Sequence, residues 1–222
     1  DLVVGDDLRF VLRGDRRRIA DMVVMTMRDE DMRHAGAHII DLTQFITGQL
    51  ITDVTGTLNT FITERSETPG AEPQRVTVDD AASFLAVFDG GASGVFEATR
   101  FATGRKNSIR VEINGSLGSL AFDFEDMNVL HFYDGTNPSE EAGFRRILVT
   151  EPEHAYVAHW WPAGHVLGYE NPFSHQVADL VEAISTGQQP RPSFDDGLQV
   201  QRVLAAVERS SASRFWASVN AP

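Results

Sequence analysis

The chain of 222 residues contains no cysteine, and this absence excludes several kinds of chemistry together. It can have no disulfide framework, no thiol nucleophile, and no zinc or iron–sulfur site that depends on cysteine ligands. Basic residues are also scarce, since 19 Lys and Arg stand against 32 Asp and Glu and give a formal net charge of −13. A charge of this sign argues against a nucleic-acid partner, because binding to phosphates needs an excess of basic residues on at least one face.

The sequence also lacks the features of membrane insertion and export. No run approaches the roughly 20 apolar residues that a membrane span needs. The N-terminus has no basic segment followed by an apolar one, as a signal peptide would. We therefore predict a cytoplasmic protein with no membrane partner. The first residue is Asp1 rather than Met, which suggests a fragment or a processed product.

Hydrophobic periodicity predicts the fold class. Apolar residues at helical spacing precede Gly48, and two further helical stripes follow residue 170, separated by a linker at 189–193. Between residues 51 and 149 the period is two, and short turns separate about seven strands. We predict an α+β fold: a large open, mainly antiparallel sheet of about seven strands with helices packed on one face. Three helices cannot cover both faces of such a sheet, so one face should be free for a partner.

His38 and Asp41 are the strongest candidates for chemistry. They are three residues apart and share one face at the start of a predicted helix. An imidazole that a carboxylate orients can accept a proton near neutral pH. The spacing is also compatible with a histidine that caps the helix start beside a solvated first-turn acid. A zinc site that combines them with His34 is a third interpretation, and it would need a further ligand and supporting hydrogen bonds.

Two other segments carry candidate binding residues. The loop at 159–170 is rich in Trp, His, Gly and Pro. Its Trp161 and His165 fit a loop that lines a cleft for a carbohydrate or a cofactor. Alternatively, the two tryptophans fill the core between the helix and the sheet. Arg100 begins a run with three cations in seven residues. This run fits either a site for a phosphate or carboxylate or a set of partners for nearby acids. No glycine-rich phosphate loop, Gly-x-Ser-x-Gly elbow or His-Glu-x-x-His motif occurs, so no known loop of this sequence binds a nucleotide.

Several segments resemble the C-terminal domain of the Gfo/Idh/MocA oxidoreductases. They occur in order between residues 34 and 218, at 36–42, 78–84, 96–101, 104–107, 114–120 and 160–170. We therefore divide the chain into a poorly matched N-terminal segment, residues 1–33, and a substrate-binding and oligomerisation domain, residues 34–222.

The resemblance implies a function and a set of roles. Members of this family are NAD(P)-dependent dehydrogenases of sugars, inositols and related polyols. Their Rossmann domain holds NAD or NADP, and their C-terminal domain supplies the substrate floor and forms homo-oligomers through an open sheet face. The resemblance makes His38 the base that takes the hydroxyl proton, and the spacing along the helix makes Asp41 the residue that orients it. The candidate substrate contacts are His34, which stands where the family often has an acid, and Arg100, Trp161 and His165.

The sequence thus predicts the substrate-binding and catalytic half of an NAD(P)-dependent sugar or polyol dehydrogenase. The cofactor would be bound mainly by a Rossmann domain that this sequence lacks, so the chain should be inactive by itself. No residue is assigned to a metal or to the cofactor. The alternative is a non-catalytic, stand-alone assembly or binding domain derived from such an enzyme.

Overall fold

The structure, a computed structural model, describes residues 19–26 and 32–220, and for residues 19–26 and 32–35 it describes the backbone alone. Most of the predicted N-terminal segment 1–33 lies outside these residues. Within the described ranges, no helix is both long and apolar enough to cross a membrane.

One large sheet forms the centre of the fold. The strands are β1 (Ile19–Thr26), β2 (Ile51–Asn59), β3 (Glu64–Arg65), β4 (Gln74–Arg75), β5 (Ala81–Phe88), β6 (Ser93–Thr99), β7 (Ile109–Gly115), β8 (Gly118–Asp123), β9 (Val129–Asp134), β10 (Arg145–Leu148) and β11 (Ala217–Ser218). The spatial order in the large sheet is β10-β9-β8-β7-β1-β6-β5-β2-β11, and a separate two-stranded ribbon consists of β3 and β4. Neighbouring strands of the large sheet are antiparallel except β1 and β6, which run parallel.

The α+β class and the mainly antiparallel sheet are as predicted, but the strand number is not. The large sheet has nine strands rather than about seven. One additional strand is β1, which lies in the poorly matched N-terminal segment 1–33, and another is β11, which has only two residues. A two-residue strand is too short to produce an alternating pattern, so it leaves no signal in the sequence.

The described residues form three α-helices, which are α1 (Met32–Thr47), α2 (Asn171–Thr186) and α3 (Phe194–Ser213). Helix α1 ends at Gly48, where a φ of +63° lets its N–H donate to the Gln44 carbonyl at 2.9 Å. Helix α3 begins with a capping box, in which Ser193 and Asp196 each accept a hydrogen bond from the other's backbone N–H. The first end lies at the glycine that follows the predicted helical pattern, and the second lies at the end of the predicted linker 189–193.

Helices α1 and α3 cover one face of the sheet and form the core with it. Phe84 and Phe96 stack there with ring centroids 4.6 Å apart, and Ile39 of α1 and Val203 of α3 are fully buried. Within the described residues the opposite face is uncovered, and its apolar side chains, such as Leu85, are about half exposed. In the part of the chain that the structure describes, the sheet thus has the free face that the sequence predicts.

Helix α2 departs from the prediction that the helices pack on the sheet. Its apolar stripe faces outward, and the exposed side chains are Phe173, Val177, Leu180, Val181 and Ile184. The period of 3.6 correctly predicts a helix with one apolar face. It contains no information on whether this chain or another body covers that face.

Candidate functional site

His38 and Asp41 lie in one open groove of about 680 Å³. The groove runs between α1, α2 and the linker that leads into α3. Its polar lining, besides these two residues, consists of Gln176, Asp179, Gln189, Arg191, Ser193 and Gln201. A groove with amide, carboxylate and guanidinium groups can hydrogen-bond to a small polar molecule rich in hydroxyls.

The two residues differ in exposure and influence each other electrostatically. His38 is exposed, whereas Asp41 is half-buried. Burial raises the pKa of the Asp41 carboxyl, the charge of Asp196 raises it further, and the nearby His38 lowers it. A carboxylate placed beside an imidazole stabilises the protonated ring more than the neutral one, so this pair is suited to accept a proton.

The environment of Asp41 leads to a stability prediction. The pKa of Asp41 in the folded protein lies above its ordinary value of 3.8, so the neutral carboxyl favours folding. This stabilisation is complete below pH 3.8 and is lost as the pH rises through the raised pKa. Asp41→Asn should therefore raise the melting temperature at pH 7, by up to about 2 °C because the side chain is only half-buried. Calorimetry of both proteins measures this difference.

The same comparison near pH 3 serves as the control. Both side chains are then largely uncharged, so the two melting temperatures should converge. A less stable Asn variant at pH 7 would contradict the electrostatic description of this pair.

A cluster of three rings ties the loop before α2 to that helix. Tyr156, at a φ of +64°, donates its hydroxyl to Asp179 Oδ2 at 2.8 Å and stacks on His175 with centroids 4.2 Å apart. Trp160 donates its Nε1–H to His175 Nε2 at 2.6 Å. Burial lowers the pKa of His175, which keeps the ring neutral and able to accept this bond.

This cluster holds a groove carboxylate in place. Burial and the bond to Asp179 raise the pKa of Tyr156 to about 12, so the phenol remains a donor at neutral pH. Asp179 lines the groove while one of its oxygens accepts the tyrosine hydroxyl. Sequence reasoning missed Tyr156, His175 and Asp179; only the spacing of four between the last two, on one helix face, could have indicated them.

The other predicted contacts lie elsewhere. Trp161 and His165 are exposed, and His165 Nδ1 lies 2.8 Å from the Pro162 carbonyl oxygen. Arg100 is partly buried just beyond β6. None of these three is among the described residues that line the groove. His34 lies in the first turn of α1, and its side chain is not one that the structure describes. The roles of all four as substrate contacts stay predictions.

The basic run near Arg100 contains a cation that is paired with an acid. Arg105 Nη1 lies 2.8 Å from Glu125 Oε2, and the Lys106 backbone N–H donates to Glu125 Oε1 at 2.8 Å. The hydrogen bond from the Lys106 backbone lowers the pKa of Glu125 most, and the hydrogen bond from Arg105 lowers it further. For Arg105 the structure therefore favours the interpretation as a partner for a nearby acid.

A metal centre or a second hollow would be the alternative to the His38 groove as a site for chemistry. Among the described residues, no three His, Asp or Glu side chains lie close enough together to hold a metal ion. A second hollow, of about 590 Å³, lies beside β2 and β5, and its only ionisable described lining residue is Arg214. The described lining of that hollow therefore includes no histidine or carboxylate that could act as a general base at neutral pH.

Residues 32–121 match the family model of the GFO/IDH/MocA C-terminal domain. The levoglucosan dehydrogenase of Pseudarthrobacter phenanthrenivorans is 33% identical over 195 residues, which are 82% of this chain and 50% of that protein. The chain thus spans about half the length of the curated relatives it matches.

Solved structures of oxidoreductases share the fold of this chain. An oxidoreductase domain protein from Kribbella flavida superimposes with a TM-score of 0.89 and 56% identity, over 96% of this chain and 62% of that chain. A levoglucosan dehydrogenase in complex with NADH and levoglucosan superimposes with a TM-score of 0.85 and 29% identity, over 96% of this chain and 62% of that one. The described architecture is that of the matching part of these oxidoreductases.

Proposed function

We propose that this chain, whose residues 32–121 belong to the Gfo/Idh/MocA C-terminal domain family, supplies the substrate-binding and catalytic half of an NAD(P)-dependent sugar or polyol dehydrogenase. One observation carries the proposal: the exposed His38 and the half-buried Asp41 lie together in a groove large enough for a monosaccharide. The similarity to a protein whose structure holds NADH and levoglucosan supports the same class of substrate.

Oxidation of a secondary alcohol removes a hydride from carbon and a proton from oxygen, and leaves a carbonyl group. When NAD(P)⁺ is bound, it is the acceptor of the hydride. His38 takes the hydroxyl proton, and Asp41 orients the ring and stabilises the imidazolium that forms. Gln176, Asp179 and Gln201 offer the hydrogen-bond donors and acceptors that neighbouring sugar hydroxyls need.

The groove fits the sugar but not the phosphates of a dinucleotide. Its described lining offers one cation, Arg191, and no glycine-rich turn. The nearby N-terminus of α3 is already capped by Ser193 and Asp196. In this proposal, a separate nucleotide-binding body holds NAD or NADP against this groove.

A cytoplasmic location of the protein stays a prediction.

A second proposal concerns assembly, and the uncovered sheet face supports it. Leu85 and Val95 face each other in register across β5 and β6, and each is about half exposed. We propose that this face pairs with a second copy of the chain. If the groove proves inactive, assembly or binding alone would be the function, as in the stand-alone alternative.

The test uses a fusion of this chain with the part of the Kribbella flavida oxidoreductase that this chain does not match. The two parts follow each other in the same order as in that oxidoreductase, and we call this fusion the joined protein. Supplied with NAD⁺ or NADP⁺, it should form reduced nucleotide with levoglucosan, an inositol or another polyol. The chain alone and reactions without sugar are the controls. A joined protein that binds nucleotide but oxidises no polyol would favour the binding-domain alternative.

A further inference from the structure

One face of helix α2 contacts the loop that precedes the helix. His175 and Asp179 lie four residues apart on this face, and both are partly buried. Tyr156 contacts both of them, because its ring stacks on His175 with centroids 4.2 Å apart while its hydroxyl donates to Asp179 Oδ2 at 2.8 Å. Asp179 also lines the groove that contains His38 and Asp41. The Asp179 carboxylate therefore belongs both to the contact with the loop and to the wall of the groove.

The Tyr156 hydroxyl is held in a defined direction. Trp160 donates its Nε1–H to His175 Nε2 at 2.6 Å, and this bond fixes the imidazole on which the tyrosine stacks, within 11° of parallel. Tyr156 also has a φ of +64°, a conformation that residues other than glycine rarely adopt and that clusters at functional sites. Because burial and the bond to Asp179 raise the pKa of Tyr156 to about 12, its hydroxyl orients the carboxylate without neutralising it.

Asp179 can accept further hydrogen bonds besides the one from Tyr156. An ionised carboxylate has about four lone-pair sites on its two oxygens, and one tyrosine hydroxyl occupies one of them. The described lining of the groove contains two carboxylates, and Asp41 is the one that interacts with His38. Asp179 is therefore the remaining side chain of that lining that only accepts hydrogen bonds. A hydrogen bond from a sugar hydroxyl to such a charged acceptor is roughly twice as strong as one between neutral groups.

We propose that Asp179 is a specificity-determining residue that accepts a hydrogen bond from a sugar hydroxyl that does not react, and that Tyr156 is the positioning residue that holds the carboxylate for this bond. The inference rests on the proposed function, since it concerns recognition of the same substrate in the same groove. The groove should select polyols with a hydroxyl at this place over analogues without it, because such an analogue leaves a charged acceptor without its donor.

Polyol binding to the joined protein in the presence of NADH or NADPH tests the role of Asp179. A reduced nucleotide accepts no hydride, so the polyol stays unreacted, and calorimetry gives its dissociation constant. The ligands are levoglucosan or an inositol, whichever binds more tightly, and the monodeoxy forms of that compound. Asp179→Asn keeps the shape of the side chain and an oxygen that can accept from Tyr156, but it removes the charge. This variant should bind the complete polyol about tenfold more weakly.

The monodeoxy forms identify the hydroxyl that Asp179 binds. One form, which lacks a hydroxyl other than the reacting one, should bind to the wild type about tenfold more weakly than the complete polyol. In Asp179→Asn the removal of the same hydroxyl should cost less than about threefold, because the charged acceptor is already absent. The other monodeoxy forms should lose similar affinity in both proteins.

Tyr156→Phe tests the positioning role. It should weaken binding of the complete polyol by about three- to tenfold, and the loss should disappear for the same monodeoxy form, since Tyr156 acts only through Asp179. The double variant should bind within about twofold of Asp179→Asn alone. Tyr133→Phe is the matched control, because Tyr133 lies on β9 beside Phe144 and outside the described lining of the groove. It should leave every dissociation constant unchanged.

Two outcomes would overturn the proposal. Unchanged affinity in Asp179→Asn means that no sugar hydroxyl depends on this carboxylate. An equal loss for the complete polyol and for every monodeoxy form means that Asp179 and Tyr156 only hold the loop against α2. Matching circular dichroism spectra establish that each variant is folded. If Tyr156→Phe does not fold, Asp179→Asn and the monodeoxy forms decide the role of Asp179, and the unfolding itself makes Tyr156 a structural residue.

The binding measurement does not depend on turnover, so its failure is distinct from that of the proposed function. Binding that depends on one hydroxyl through Asp179, in a joined protein that oxidises no polyol, supports the specificity role and contradicts the dehydrogenase. Polyol oxidation by the wild type with unchanged affinity in Asp179→Asn has the reverse meaning. A joined protein that binds no polyol contradicts both.

Discussion

Replacement of His38 by alanine should lower the turnover of the joined protein by about 10²- to 10⁴-fold, the usual contribution of a positioned general base. The loss should appear in turnover with little change in folding, because the side chain is exposed on the groove side of α1 and adds little packing. Steady-state polyol oxidation and thermal unfolding of the wild type and the variant measure the two effects.

Asp41→Asn is the matched comparison on the same helix. It should reduce turnover less than His38→Ala, because an amide oxygen can still accept the imidazole N–H although it no longer stabilises an imidazolium. Wild-type turnover in His38→Ala would favour the simple interpretation of a histidine at a helix start. A loss accompanied by unfolding would mean that His38 is a structural residue.

Two acidic substitutions on the uncovered sheet face should prevent the proposed pairing of two copies of the chain. Leu85 and Val95 are neighbours in register, so Leu85→Asp with Val95→Asp places paired negative charges at the proposed contact. Like charges facing each other across an interface should weaken association by about 10²-fold or more. Light scattering at micromolar concentration should give a multiple of 24.5 kDa for the wild type and 24.5 kDa for the double variant.

Val78→Asp is the control for the added charge, because Val78 is similarly exposed but lies outside the sheet. It should leave the oligomer intact. A stable contact should bury more than roughly 1,000 Å² in total. A wild-type chain that is monomeric at micromolar concentration would rule out pairing through the sheet face.

The parts of the fold that follow from local chemistry were predictable. Gly48 and Ser193 mark helix ends because a left-handed φ and a side-chain cap are properties of single residues. The turn at Asp89-Gly90-Gly91 joins β5 and β6 as a hairpin for the same reason. Strand β1 was not predictable in this way, because its pairing with β6 and β7 joins residues between 72 and 96 positions apart.

The candidate site also has some residues that the sequence predicts and others that it does not. His38 and Asp41 could be paired from the sequence because one helix carries both. The bond between Tyr156 and Asp179 depends on how a loop lies against α2, and no periodicity encodes that placement. Composition indicated a binding role for Trp161, yet the structure leaves its side chain outside the groove and exposed. Loop composition indicates a type of surface, whereas tertiary packing determines its position.

The most direct test of the central claim is the pH dependence of polyol oxidation by the joined protein with and without His38. A base must be neutral to accept the hydroxyl proton, so wild-type kcat/KM should rise with pH along a limb at about pH 6–7, the range of histidine. In His38→Ala the residual activity should lack this limb. A limb at the same pH in both proteins would contradict the assignment of His38 as the proton acceptor.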